Sequence, residues 1–381
     1  MSASNRDTSL ASAKRLVIKL GSSLLAPEGS QVRQERLKAL ASQVAHLKKE
    51  GRQVVLVSSG AIASGMRIKK FARRPAAVEE KQALAAIGQP ELMHAYSRAF
   101  AEHGITVAQV LLTKDDILTR GRYLNARRAL QALLDLDAVP IVNENDTVAV
   151  DEIRMGDNDL LSAHVANLTE ADALIILTDV DGLYTANPAK NSSAVRLDSV
   201  DRITPEIRRM AGLMPGSSVG SGGMETKLAA AALVTAAGHA VLVARGTDER
   251  VIERAVAGEA VGTLFLPAGR RMPSRQRWLA VGAQARGSIT VDAGARDAVV
   301  KKGRSLLPRG ITAVSGTFER GEAVILRDPG GAEFGRGLAS YSSAELERVK
   351  GLPSASIAAA LGYTRGDTAV HRNNMAIKEE T

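Results

Sequence analysis

The chain has 381 residues, too many for one typical core and well suited to two domains. Its 45% hydrophobic content and mean hydropathy near zero describe a soluble globular protein, and no window approaches the run of about 20 apolar residues that spans a bilayer. It holds no cysteine, which excludes disulfides, thiolate metal sites and thiol nucleophiles. The polar segment Met1 to Lys14 has no apolar core of the signal-peptide kind, so a cytoplasmic enzyme with no membrane partner is expected. The net charge of +9 is uneven, since residues 267–381 carry 18 Lys+Arg against 11 Asp+Glu. An anionic substrate of the first part must therefore be met by local groups, while the basic tail could meet nucleic acid. Aromatic residues, at 3%, are too few for an extensive base-stacking platform, and a solvated basic surface explains the tail equally well.

In chain order, Arg15–Leu20 (RLVIKL) reads as a strand stopped by Gly21-Ser22-Ser23. Leu37, Leu40, Val44 and Leu47 recur at helical spacing between Gln34 and Lys49. Gly51 ends that helix, and Gln53–Val57 is the second strand. Further strands are expected at Ile105–Leu112, Val139–Asn143, Ala173–Thr178 and Ala240–Ala244, each separated by helical sequence. This alternation predicts an α/β fold, a mostly parallel sheet sandwiched by helices, with ligands beyond the carboxyl ends of the strands. The pattern changes after Phe265-Leu266-Pro267. The basic, irregular run 269–277 (GRRMPSRQR) reads as a linker. Short strands at Gly287–Val291, Leu306–Gly310, Ile311–Val314 and Ala323–Leu326 then predict a small β-rich domain. An amphipathic stretch at Ser343–Lys350 and a polar tail follow. The expected division is 1–266 for the α/β domain, 267–277 for the linker, 278–360 for the β-rich domain and 361–381 for the tail.

Five segments join a strand end to small or polar residues. In Val17-Ile18-Lys19-Leu20-Gly21-Ser22-Ser23, a lysine in an apolar strand needs an anionic partner, or else lies on an edge strand and reaches solvent. Ser58-Ser59-Gly60-Ala61 through Gly65 offers backbone N–H groups to an anion, though tight helix packing would explain its small residues almost as well. Met66-Arg67 stands where a Walker A loop needs Lys-Ser/Thr, so that motif is excluded. Asn143-Glu144-Asn145-Asp146, followed by Gly156-Asp157-Asn158-Asp159, places two clusters of carboxamides and carboxylates behind a buried strand. Such groups can fix both ends of an amino acid, although each cluster alone also suits a loop with a helix cap. Thr178-Asp179 ends another strand ahead of the Asp181-Gly182 turn. Last, Val219-Gly220-Ser221-Gly222-Gly223-Met224-Glu225-Thr226-Lys227 enters an alanine-rich helix. Glycines and a cation both disfavour a helix N-terminus, and a bound polyphosphate would offset both.

Together VIKLGSS, SSGAIASG, VPIVNENDTVA…MGDNDLLSA, LTDVDGLYTANP and GSGGMETK resemble the amino-acid kinase family, in order and spacing, over about the first 265 residues. The NEND…GDND pair is similar to the members that phosphorylate the side-chain carboxylate of glutamate, the first step of proline biosynthesis. The tail resembles a PUA domain through GSITVD, SLLPRGI and FERG. The resemblance implies ATP as co-substrate with Mg²⁺, and Lys19 and Lys227 on the phosphates with Asp159 holding them. It implies Ser59, Gly60, Asn143, Asp146 and Asn158 at the glutamate site, and Thr178, Asp179, Ser221, Gly222, Gly223, Met224, Glu225 and Thr226 around the nucleotide. It identifies no metal ligand among the protein residues. It further implies proline as feedback inhibitor, a homo-oligomer (dimer or tetramer) and a functional partnership with glutamyl phosphate reductase. Glu225 departs mildly from the family pattern by bringing a negative charge near the phosphate loop, as does Ser221 where threonine is common. The chemistry agrees with this set: a glutamate carboxylate is already ionised at pH 7 and needs no general base, and none of the six histidines falls in the five segments. Two other readings remain open: another acceptor of the same family, such as aspartate, N-acetylglutamate, carbamate or UMP, and an RNA-binding protein working through the basic tail.

Overall fold

The computed structural model describes residues 9–25, 33–149, 158–188, 190–213, 223–268, 276, 278–279 and 283–378. The chain divides into two compact units, one of Met1–Ile117 with Arg122–Arg271, the other of Leu118–Gly121 with Met272–Thr381. Of the expected linker 267–277, only residues 267, 268 and 276 are among the described residues.

The first unit is built on an eight-stranded sheet of order β3-β4-β2-β1-β5-β7-β8-β6. Its strands are β1 (Arg15–Leu20), β2 (Gln53–Val57), β3 (Val107–Leu112), β4 (Val139–Glu144), β5 (Ala173–Thr178), β6 (Ser199–Val200), β7 (Ala240–Arg245) and β8 (Thr263–Phe265). All six residues of β5 and the last five of β1 are buried, as expected of apolar runs covered on both faces. Neighbouring strands run parallel except β7 and β8. β1 sits between β2 and β5, with Lys19 in register with Val57 on one side and Ile176 on the other. Lys19 is therefore on a central strand, and the edge-strand reading of this lysine is set aside. The connections leave β1 toward β2 on one side and reach β5 on the other. The carboxyl end of β1 is thus the place where strand order reverses, which is where open α/β sheets leave a crevice.

Helix α1 (Gln34–Lys49) buries Leu37, Leu40, Val44 and Leu47, the face read from their spacing. Helix α2 (Ala61–Ile68) follows β2, and the long α3 (Val78–Ala101) packs on it almost backbone to backbone. A methyl group at Gly65 would stand 1.9 Å from the Leu84 carbonyl oxygen, and one at Gly88 would stand 1.9 Å from that of Ala61. Part of the small-residue run after β2 is therefore explained by helix packing, as the sequence allowed. Further helices are α4 (Lys114–Leu118), α5 (Arg120–Asp135), α6 (Asn158–Thr169), α7 (Pro205–Leu213), α8 (Met224–Ala236) and α9 (Val251–Val256), besides a single turn at Ser22–Leu25. Among the described residues no helix is long and apolar enough to cross a membrane.

The second unit has a five-stranded sheet of order β10-β9-β11-β12-β13: β9 (Gly287–Val291), β10 (Ile311–Gly316), β11 (Ala323–Arg327), β12 (Glu333–Leu338) and β13 (Met375–Ile377). Helices α10 (Ala293–Val300), α11 (Ser343–Val349) and α12 (Ile357–Leu361) complete it. Asp292 caps α10 by accepting a hydrogen bond from the Ala295 N–H, and Ser342 with Glu345 forms a capping box on α11. Two expectations are corrected here. Leu306–Gly310 is not a strand: Pro308–Gly310 is a 3₁₀ turn opened by the proline, and Leu306 makes only an isolated bridge with Val370. Nor is the chain from 361 a free tail. Ala369, Val370 and Met375 are buried in the same core as Ile289, Phe318 and Tyr341, and β13 pairs antiparallel with β12. The polar residues around that short segment hid it, as the glycines of Glu333–Leu338 hid β12.

Replacing Gly88 by alanine forces a methyl group into a backbone carbonyl that has little room to move. We expect Gly88→Ala to lower stability by about 1–3 kcal/mol in urea unfolding. Gly121→Ala, where nothing lies within 4 Å, should leave the midpoint unchanged or raise it.

Candidate active site

Four strand ends face the crevice. β1 supplies Lys19, β2 leads into Ser58, Ser59 and Gly60, β4 ends in Asn143 and Glu144, and β5 ends in Thr178. The N-termini of α6 and α8 complete the arrangement with Asn158 and Asp159, and with Met224 to Lys227.

The central feature is a buried carboxylate shared by two lysines. Asp159 is fully buried; its Oδ1 lies 2.6 Å from Lys19 Nζ and its Oδ2 lies 3.1 Å from Lys227 Nζ. Thr226 donates a third contact to Oδ2 through its hydroxyl at 2.9 Å. Lys19 is 4% exposed and Lys227 is 5% exposed. Within this trio two ammonium groups face one carboxylate, and a phosphate chain bound beside them would bring further negative charge to the lysines. The lysine in the first turn of α8 turns its charge onto Asp159, while Asp159 itself sits favourably in the first turn of α6. Burial is the largest influence on the Asp159 carboxyl and pushes it up. The charges and hydrogen bonds of Lys19 and Lys227 together outweigh burial, so the carboxyl is held below its ordinary value.

Beside this trio lies a network of amides and hydroxyls. Asn158 Nδ2 donates to the Ser58 carbonyl and to Ser59 Oγ, each at 2.5 Å, and stands 3.2 Å from Asn143 Oδ1. Asn143, 3% exposed, also accepts from the Glu144 N–H at 2.9 Å and donates through Nδ2 to Gln89 Oε1 at 3.1 Å. Ser58 Oγ is 2.8 Å from the hydroxyl of Tyr96, whose pKa burial pushes up. Gly60 has φ 111°, a left-handed conformation that glycine adopts without strain, and it turns the chain from β2 into α2.

Of the residues singled out in the sequence, Lys19, Asp159, Lys227 and Thr226 thus meet at one carboxylate, and Ser59, Asn143 and Asn158 meet in the adjoining network. Thr178 is buried at the end of β5, where its hydroxyl donates to the exposed Asp179 carboxylate at 3.0 Å. Gly223 is the N-cap of α8 and makes no side-chain cap bond. Met224 is buried, whereas Glu225 is exposed, and its Oε1 lies 3.1 Å from where a side chain at Gly212 of α7 would begin. Asp146 is in the turn after β4, partly exposed. Ser221 and Gly222, with Gly156 and Asp157, lie outside the described residues. Sequence reasoning missed Gln89 and Tyr96. Both stand on α3 with no local motif, and only the close approach of α3 to α2 brings them to the network.

A model of the amino acid kinase family matches residues 14–245, and one of the PUA domain matches residues 287–361. The chain belongs to the amino acid kinase family. It is 48% identical over 364 residues to the glutamate 5-kinase of Citrifermentans bemidjiense, covering 96% of this chain and 97% of that protein. It is likewise 48% identical over 368 residues to the glutamate 5-kinase of Moorella thermoacetica, covering 97% of each. The glutamate 5-kinase of Burkholderia thailandensis is 47% identical over 97% of this chain. Within the family, the chain stands in the glutamate 5-kinase branch along nearly its whole length.

Removing the negative charge at Asp159 takes from two buried ammonium groups the carboxylate they share. Asp159→Asn is expected to cost about 3–5 kcal/mol of stability at pH 7. A carboxyl with a depressed folded value adds stability above its unfolded value of about 4 and loses it as pH falls through the folded value. The gap between the parent and Asp159→Asn should therefore hold from pH 7 to 5 and narrow below about pH 4, as read by denaturant unfolding.

Proposed function

We propose that the protein transfers the γ-phosphoryl group of ATP to the side-chain carboxylate of L-glutamate, giving L-glutamyl 5-phosphate and ADP in the first step of proline biosynthesis. The observation that carries this reading is the shared carboxylate of Asp159, which gathers two ammonium groups next to a network of carboxamides and hydroxyls. Lys19 and Lys227 bind the phosphates and neutralise charge on the transferring group, while Asp159 fixes their spacing. Ser59, Gly60, Asn143, Asp146 and Asn158 hold glutamate. Thr178, Asp179 and the segment Ser221 to Lys227 surround the nucleotide. A carboxylate oxygen of glutamate attacks the γ-phosphorus in line, the bond to the β-bridging oxygen breaks, and ADP leaves with that electron pair. The nucleophile is already an anion, so no protein base is required. Bringing it against a polyanion is the difficulty, and positioning with preorganised positive charge addresses it.

Mg²⁺ belongs to the co-substrate in this scheme. Both oxygens of Asp159 are engaged by lysines, and among the described residues no cluster of His, Asp or Glu is arranged to hold a metal. When bound with the nucleotide, Mg²⁺ would supply charge neutralisation on the phosphates beside Lys19 and Lys227. The acyl phosphate product is labile, which favours delivery to glutamyl phosphate reductase. Proline, sharing the backbone carboxylate and amine of glutamate, would inhibit at or over the glutamate site. We place the enzyme in the cytoplasm as a homo-oligomer, with residues 1–266 as the kinase domain and the PUA unit regulating or supporting it.

A hydroxamate assay with MgATP and glutamate, aspartate or N-acetylglutamate tests the acceptor. Product with glutamate is expected; product with another acceptor in its place would overturn the assignment. Lys19→Ala and Lys227→Ala should each reduce turnover by a factor on the order of 10² or more. Near-parental turnover in either variant removes that lysine from the chemistry.

A further inference from the structure

Gln89 lies outside every motif, yet it holds the inner end of the amide network. It sits on α3 beside Gly88, whose missing side chain lets α3 reach the backbone of α2. Its side chain is almost wholly buried, and its Oε1 accepts the Asn143 Nδ2 hydrogen bond at 3.1 Å. Its own Nε2 donates to Gln109 Oε1, on the edge strand β3, at 3.4 Å. A carboxamide has one accepting and one donating end, so each bond in such a chain fixes the orientation of the next amide. With its NH₂ held by Gln89, Asn143 must aim Oδ1 at the Glu144 N–H and at Asn158 Nδ2. Asn158 in turn reaches Ser59 Oγ. The order is Gln109, Gln89, Asn143, Asn158, Ser59, running from an exposed residue of the edge strand to the proposed acceptor site.

We propose that Gln89 is a positioning residue for the carboxylate acceptor: it sets the orientation of the Asn143 amide and, through it, of Asn158 and Ser59. This rests on the kinase reading given above. Gln89 acts on the acceptor half of the site, because its side-chain hydrogen bonds among the described residues lead to Asn143 and Gln109, away from the Lys19–Asp159–Lys227 trio. Without the Gln89 acceptor, the buried Asn143 NH₂ loses its hydrogen bond, and the Asn143 amide is held only through Oδ1, so the oxygen it presents to Asn158 is less firmly placed.

The test is steady-state kinetics on the full chain carrying Gln89→Met, which keeps the length of the side chain but neither hydrogen bond. The KM for glutamate is expected to rise about 10-fold, with the KM for ATP within about twofold of the parent. Gln89→Glu retains an oxygen for Asn143 and should raise the glutamate KM less than Gln89→Met does. If Gln89→Met does not fold, Gln89→Asn serves; its shorter amide keeps the position polar but falls short of Asn143, and the same selective rise is expected. An unchanged glutamate KM, or equal rises in both KM values, would overturn the proposal. The acceptor of the parent protein is established first. Inactivity of the parent toward glutamate would defeat the functional reading alone, and the Gln89 variants would then be read on whichever carboxylate acceptor it phosphorylates.

Discussion

One carboxylate, buried and gripped by two lysines, is the constraint around which the first unit is arranged. Asp159 offsets the burial of Lys19 and Lys227, and their charges in turn hold its carboxyl below the ordinary value against burial. The three come from a central strand and the N-termini of two helices, elements that meet only because β1 lies between β2 and β5. The charge does not cancel within the trio. Two buried ammonium groups on one carboxylate are poised to gain from a phosphate chain. Site and fold are therefore set by the same interaction.

The second constraint is the spacing of two half-sites. Asn158 and Asp159 are consecutive residues, the first two of α6, and they face different tasks. Asn158 holds the serine and amide network, while Asp159 holds the lysines. A single peptide bond thus sets the distance between the groups proposed to bind acceptor and donor. In-line transfer demands that this distance stay fixed, and a helix terminus packed in the core keeps it so. The glycine contacts between α2 and α3 serve the same rigidity from the other side, because helices touching through their backbones have no side chains to rearrange.

Much of this was legible in the sequence, for identifiable reasons. The strands of the first sheet are continuous apolar runs, and runs buried on both faces stand out. A lysine in such a run, and a second in a glycine-rich helix start, each violate a local rule strongly enough to signal a partner. What the sequence could not supply was the identity of the meeting points. Gln89 and Tyr96 look like ordinary residues of a long helix, and their roles arise from a packing distance that no local pattern encodes. In the second unit the failure was of another kind. Glu333–Leu338 carries two glycines and Met375–Ile377 is only three residues long, so neither has the alternation that marks a strand. Tertiary pairing makes them strands. Leu306–Gly310 erred in the opposite direction: its apolar residues suggested a strand that Pro308 diverts into a turn.

The place of β1 in the sheet has a consequence for how the chain is made. β1 and β2 are synthesised early, but the other neighbour of β1, β5, comes after β3, β4 and α6. Until β5 docks, β1 is an open edge of apolar residues, the kind of surface on which nascent chains stick to one another. Lys19 lies near its end, and the carboxylate of Asp159 that meets it is delivered only with α6. A charge that resists burial on an unfinished edge works as a gatekeeper against premature pairing, so the residue proposed to handle phosphate also guards the strand that carries it.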